Sequence, residues 1–121
     1  MKLRDTLVEK IKTINEDIYE LYSREVLKWC DQFMPNKLEK LFIGSDGAGR
    51  IDIDTLNAEI DKDVTIRIYH IINSESRLTR DHVSTYFESK TRPSASRIVA
   101  SWLVEEGFKI ETLPFYLNVK M

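Results

Sequence analysis

The chain has 121 residues, of which 42% are hydrophobic and 31% charged, with a formal net charge of −2. That length supplies one hydrophobic core without covalent staples, and that balance excludes a disordered chain. The small negative charge excludes a protein that is basic all over, but it leaves room for a local basic patch.

Cys30 is the only cysteine, so there is no disulfide framework. One free thiol suits a reducing cytoplasmic, or otherwise intracellular, setting. No window reaches the ~18 apolar residues of a membrane span. The charged start MKLRDTLVEK also lacks the apolar run of a signal peptide. The expectation is a soluble single domain over 1–121 with no membrane partner.

Residues 1–34 carry neither Gly nor Pro, and Pro35 follows them. Leu7, Ile11, Ile14, Ile18, Tyr22, Val26, Trp29 and Phe33 recur at steps of three and four. This spacing predicts a long amphipathic helix that Pro35 closes. A straight helix over residues 3–34 spans about 48 Å, against a diameter of about 35 Å for a compact domain of this size. The helix therefore either protrudes toward a partner copy or breaks near Tyr22 and Ser23. In the first case Leu7, Ile11, Ile14 and Ile18 are the expected homodimer contact, and Tyr22 to Phe33 packs on the C-terminal helices.

Residues 35–72 read as a small β or mixed segment. In one reading LEKLFI and RIDID are antiparallel strands around a glycine-containing loop. In the other the stretch is a helix, a turn and a short helix from Thr55. VTIRIYHII, residues 64–72, is β-branched and alternates at Val64, Ile66 and Ile68, which favours a strand, although Ile68, Ile71 and Ile72 also suit a helical face. SDGAGRIDIDTL looks partly like an EF-hand loop through Asp46, Gly49 and Asp52. However, Thr55 stands where the bidentate Glu belongs, and Gly44 and Ala48 fill two further ligand positions. A hairpin turn or a degenerate loop is the better reading. Asp52 and Asp54 put two carboxylates on one face of a strand, which reads as a wet surface rather than a catalytic pair.

From residue 73 onward the pattern is clearer. Thr79 is an expected N-cap with Leu78 placed to staple onto Val83, and Val83, Tyr86 and Phe87 form one apolar face. Pro93 breaks that helix and Ser94 starts another, whose stripe is Ala95, Ile98, Val99, Trp102 and Leu103. Gly107 sits where a left-handed C′ residue is wanted, with Phe108 beyond it. FKIETLPFYLNVKM then reads as strand, Pro-containing corner, strand, with Phe115, Leu117 and Val119 on one side.

Over residues 78–121 the run LTRDHVSTYFESKTRPSASRIVASWLVEEGFKIE resembles a winged helix-turn-helix: a short capped helix, a polar turn, a second helix and an exit into a hairpin wing. The resemblance implies that the second helix enters the DNA major groove. It then places Ser94, Ser96 and Arg97 at the start of that helix, and Lys90 and Arg92 in the turn before it. Local charge agrees, because residues 76–97 hold Arg77, Arg80, Lys90, Arg92 and Arg97 against Asp81 and Glu88.

His70, His82 and Cys30 lack zinc-ligand spacing, and no base can be placed beside Cys30. No metal, cofactor or catalytic residue is expected. The overall expectation is an α+β chain: a long N-terminal helix, a small antiparallel sheet and a helix-turn-helix with a β-hairpin. It would act without enzymatic activity by binding DNA or RNA as a homodimer. The alternatives are a module that binds or inhibits a larger protein complex without nucleic acid, and a metal-dependent enzyme using Asp52 and Asp54.

Overall fold

The computed structural model describes residues 2–75 and 77–121. Met1, the expected start of the first helix, and Ser76 lie outside the described residues. The described residues form four helices and three strands. α1 spans Leu3–Phe42, β1 Ala48–Asp52, α2 Ile53–Glu75, α3 Arg80–Glu88, α4 Ala95–Glu105, β2 Lys109–Thr112 and β3 Tyr116–Lys120.

α1 is one helix of 40 residues with Pro35 inside it, so Pro35 does not close the helix, and no break occurs near Tyr22 and Ser23. A proline inside a helix costs about 3 kcal/mol through the lost hydrogen bond and the ring's clash with the preceding turn. Burial outweighs that cost. Cys30, Met34 and Leu38, four apart on one face, are all buried. A large apolar side chain contributes roughly 1.5–3 kcal/mol when buried. The segment LEKLFI, expected as a strand in one reading, is therefore the end of α1. At about 60 Å, α1 is longer than any compact arrangement of the chain. Ile18 is fully buried in the chain's own core, whereas Leu3, Leu7, Val8 and Ile11 are exposed. The helix thus projects beyond the core at its N-terminal end.

Gly44 and Gly47, at φ 77° and 89°, turn the chain from α1 into β1. Asp52 ends β1 and caps α2, its Oδ1 accepting the Thr55 N–H at 2.8 Å. Hydrogen bonds from the Thr55 backbone, then the Thr55 hydroxyl and the Asp54 backbone, hold the Asp52 carboxyl below the usual carboxylate range. Asp54 already lies in the first turn of α2. The two aspartates therefore do not share a strand face, contrary to the expectation for a pair of catalytic carboxylates.

The stretch 64–72 is helical, not a strand. Leu56, Ile60, Val64, Ile68 and Ile72 are buried at a constant spacing of four along α2. This ridge repeats through five positions, and its burial overrides the β-branched composition of the shorter run.

The strands form one antiparallel sheet in the order β1-β3-β2. β1 pairs with β3 from Ala48↔Lys120 to Asp52↔Tyr116, and β2 pairs with β3 from Lys109↔Lys120 to Thr112↔Leu117. Leu117 and Val119 face the core. Phe115, expected beside them, sits in the Leu113–Tyr116 corner and is exposed. One cluster of buried side chains draws on Trp29, Ile60, Val83, Val99 and Leu117, so α1, α2, α3, α4 and the sheet share a single core. Among the described residues no helix is long and apolar enough to cross a membrane.

Candidate functional site

The segment from Arg77 to Lys120 gathers most of the expected site residues, and its shape is set by local capping. α3 begins with a reciprocal box. Thr79 Oγ1 accepts the His82 N–H at 3.1 Å, and His82 Nδ1 accepts the Thr79 N–H at 3.3 Å. The imidazole therefore does the work of the usual Glu or Gln. Leu78 and Val83 are both buried, as the staple requires.

The turn between α3 and α4 is locked from below by α2. Arg92 Nη2 donates to Asp61 Oδ2 at 2.7 Å, and its Nε donates to the Phe87 carbonyl at 3.3 Å. Its guanidinium also lies 4.9 Å from the Phe87 ring centroid and 5.6 Å from that of Tyr22. Asp61 Oδ1 accepts the Tyr22 hydroxyl at 2.6 Å. Burial, followed by the bond to Asp61, pushes the Tyr22 phenol well above its ordinary range. One turn earlier on α2, Asn57 Oδ1 accepts the Ser96 N–H at 2.8 Å. Ser94 is the N-cap residue of α4, but its hydroxyl pairs with the Ser96 hydroxyl instead, so Asn57 supplies the cap.

α4 buries Ala95, Ser96, Ile98, Val99 and Leu103. Trp102 Nε1 donates to Asp31 Oδ1 at 2.9 Å, tethering α4 to α1. The helix stops at Gly107 (φ 98°) in a Schellman arrangement, with Phe108 N–H to Leu103 O and Gly107 N–H to Val104 O, each at 3.0 Å. Phe108 then stacks on Phe42.

These contacts divide the expected nucleic-acid residues into two groups. Arg77, Arg80, Lys90 and Arg97 are exposed. The Arg80 guanidinium rests 4.8 Å from the Tyr69 ring centroid, a cation–π contact that ties it to α2. Arg92 is 15% exposed and its charge is already paired, Ser96 is buried and Ser94 half-buried. These three organise the turn, and a ligand meets them less readily than it meets the first four.

The sheet adds cations that the sequence reading did not single out. Lys109 and Lys120 are directly paired across β2 and β3, and both are exposed. Two like charges facing each other across a ladder oppose the pairing, and Glu111, two residues along β2 on the same face, offsets part of that repulsion. Arg50 on β1 lies on the same open face, 4.8 Å from the Tyr116 ring centroid. Together they help line a shallow depression of about 560 Å³, with Asn118 and Glu111 among its other walls. The alternation in KIETLPFYLNVK carries the signal. Lys109 and Lys120 are equally far from the Pro114–Phe115 corner, which puts them opposite one another in a hairpin.

Cys30 is fully buried, and burial, reinforced by Asp31, pushes its thiol up to about 12. It is a packing residue with almost no thiolate at neutral pH. Comparison with protein-family models, with curated proteins and with solved structures gives no match.

Proposed function

We propose that the chain is a non-enzymatic nucleic-acid-binding protein of winged helix-turn-helix type. α3 and α4 form the helix pair and β2–β3 the wing. Duplex DNA is the form it fits best, because an α-helix enters the B-form major groove, whereas the deep, narrow groove of A-form RNA excludes it. Arg97 at the start of α4 and Lys90 in the preceding turn take the groove and its flanking phosphates. Arg77 and Arg80 extend that basic surface before α3. Lys109, Lys120 and Arg50 take backbone phosphates from the sheet. Arg92, Asp61 and Asn57 serve the site indirectly, by fixing the turn from which α4 starts.

The observation that carries this reading is the exposed Lys109–Lys120 pair on the hairpin that follows α4. A phosphate between the two side chains turns a repulsive pair into a binding site. The test is fluorescence anisotropy with a labelled mixed-sequence DNA duplex at low salt. Wild type binds. Lys109→Ala with Lys120→Ala, and separately Arg97→Ala, each weaken binding about tenfold, while thermal stability is unchanged or slightly raised for the lysine pair. No affinity at low salt removes the proposal. The rival reading, a protein-binding module working without nucleic acid, has the exposed apolar end of α1 in its favour.

A further inference from the structure

Between α1 and α3 runs a groove of about 700 Å³, within the size range of small-molecule sites. Its apolar walls are Ile11 and Ile14 and the rings of Tyr19 and Tyr86. Tyr86 is 8% exposed, and its buried hydroxyl has no hydrogen-bond partner. Burial pushes that phenol up, while the Arg92 charge pulls it back and Tyr19 adds to the rise. Arg92 and Tyr19 both line the groove, which places the hydroxyl on the groove side of its ring. Arg92 does not serve it, because its guanidinium donates to Asp61 and to the carbonyls of Phe87 and Pro93. Tyr19 is 40% exposed and makes no hydrogen bond or ring contact among the described residues, so its side chain is free to turn and open the way in. A buried hydroxyl left unpaired costs stability, and a ligand that brings a hydrogen-bonding group recovers that cost. The rim sets the charge of such a ligand. Glu16 on α1 and Asp81 on α3 line the groove and are exposed, and neither makes an ion pair among the described residues. Arg92 is neutralised by Asp61, and His82, which accepts the Thr79 N–H through Nδ1, is neutral in that arrangement. The groove therefore holds two uncompensated carboxylates at its exposed rim and one unpaired hydroxyl at its buried side.

We propose that this groove binds a small aromatic amine, a molecule with a cationic amine at one end of an aromatic body and a hydrogen-bonding group at the other. The ammonium takes the rim, where Glu16 and Asp81 supply its counter-charge. The ring packs between the isoleucines and the faces of Tyr19 and Tyr86. The polar end pairs with the Tyr86 hydroxyl. Asp81 stands five residues before Tyr86 on α3, about 7.5 Å along the helix axis, a span that one ring and a short chain cover. An organic anion of the same shape meets two carboxylates, and a wholly apolar ligand leaves the hydroxyl unpaired. The site lies apart from the basic residues assigned to DNA and does not rest on that reading.

The test is an NMR titration of the backbone amides of the full chain, without nucleic acid, using three probes. Tyramine carries both the ammonium and the phenol, phenethylamine lacks the hydroxyl, and 4-hydroxyphenylpropionate keeps the phenol and reverses the charge. Tyramine is expected to bind with a Kd on the order of 10⁻⁴ M and to shift the amides of Ile14, Thr85 and Tyr86. Phenethylamine binds about tenfold more weakly, and the acid gives no saturable shift. Tyr86→Phe brings tyramine down to the affinity of phenethylamine and leaves phenethylamine unchanged, while the thermal stability of the free chain holds or rises. Glu16→Gln with Asp81→Asn weakens both amines about tenfold. Absence of saturable tyramine binding overturns the proposal, as do shifts confined to another part of the chain or an equal affinity for the acid. A Tyr86→Phe variant that still prefers tyramine to phenethylamine overturns it as well.

Discussion

Replacing Asp61 with alanine removes two acceptor bonds at once, and the cost follows from the geometry. Tyr22 loses its bond at 2.6 Å and Arg92 loses its counter-ion at 2.7 Å. A typical lost hydrogen bond costs about 1 kcal/mol, and breaking a fully buried ion pair costs about 3–5 kcal/mol. The pair is not fully buried, with side chains 15% and 25% exposed. Water reaches the orphaned guanidinium, which also keeps the Phe87 carbonyl and its aromatic supports. The loss is therefore about 2–3 kcal/mol in total. At roughly 4 °C per kcal/mol for a domain of this size, the Tm falls by about 8–12 °C. The assay is thermal and urea unfolding within a double-mutant cycle that pairs Asp61→Ala with Arg92→Met, which retains much of the stacking but not the charge. The double variant should be more stable than the two single losses predict, by at least about 1.5 kcal/mol. Additive losses, or a cost for Asp61→Ala below about 1 kcal/mol, would refute the clamp.

Other outcomes follow from the same structure. Pro35→Ala restores the hydrogen bond to the Asp31 carbonyl inside α1 and should raise stability by about 1–2 kcal/mol after the loss of proline's unfolded-state restriction. A destabilised variant in urea unfolding would argue against a helix continuous through residue 35. Gly49→Ala sets a Cβ 2.7 Å from both Leu41 methyl carbons. It should cost about 1–3 kcal/mol, and Leu41→Ala in the same chain should relieve that clash. Stability should also fall in alkali. Folding favours the neutral thiol of Cys30 and the neutral phenol of Tyr22, whose ordinary pKa values are 9.0 and 10.0. Their contribution is complete below pH 9.0 and is lost as the pH rises, first through Cys30 toward about 12 and then through Tyr22. Each proton released on unfolding adds about 1.4 kcal/mol per pH unit to the decline. Urea midpoints measured against pH should show a shallower alkaline limb for Cys30→Ala, and an unchanged limb would contradict this assignment.

Much of the fold is legible in the chain because its signals are local. Thr79, Ser94 and Gly107 mark helix ends whose chemistry spans only a few residues, and all three stand where expected. Pro35 misleads for the opposite reason. Its cost is local, but the burial of Met34 and Leu38 that outweighs it comes from elements distant in sequence. Residues 64–72 mislead because a run so short hides the four-residue ridge that begins at Leu56 and ends at Ile72. The pairing of β1 with β3 joins residues far apart in the chain, and no local pattern announces it.

The same division runs through the candidate site. Lys90 and Arg97 could be placed by helix position alone, and both are exposed. Arg92 has the same chemistry at a similar place, but Asp61 on α2 claims it across thirty-one residues. Asn57 supplants Ser94 as the cap of α4 in the same way. Exposure of a charged residue depends on what the rest of the fold brings to it. Leu7 and Ile11 remain available to a partner, while Ile18, part of the same stripe, is taken by the chain's own core.

The most direct test of DNA binding is the slope of log affinity against log salt concentration for a mixed-sequence duplex. Arg50, Arg77, Arg80, Lys90, Arg97, Lys109 and Lys120 are the exposed cations of the proposed surface. Neutralising about five phosphates gives a slope near −4 to −5. Lys109→Ala with Lys120→Ala should bring the slope about two closer to zero, whereas Arg92→Met, although it lowers the Tm, should leave it unchanged. A slope near zero for the wild type, or one that Arg92→Met flattens and the lysine pair does not, would contradict the account.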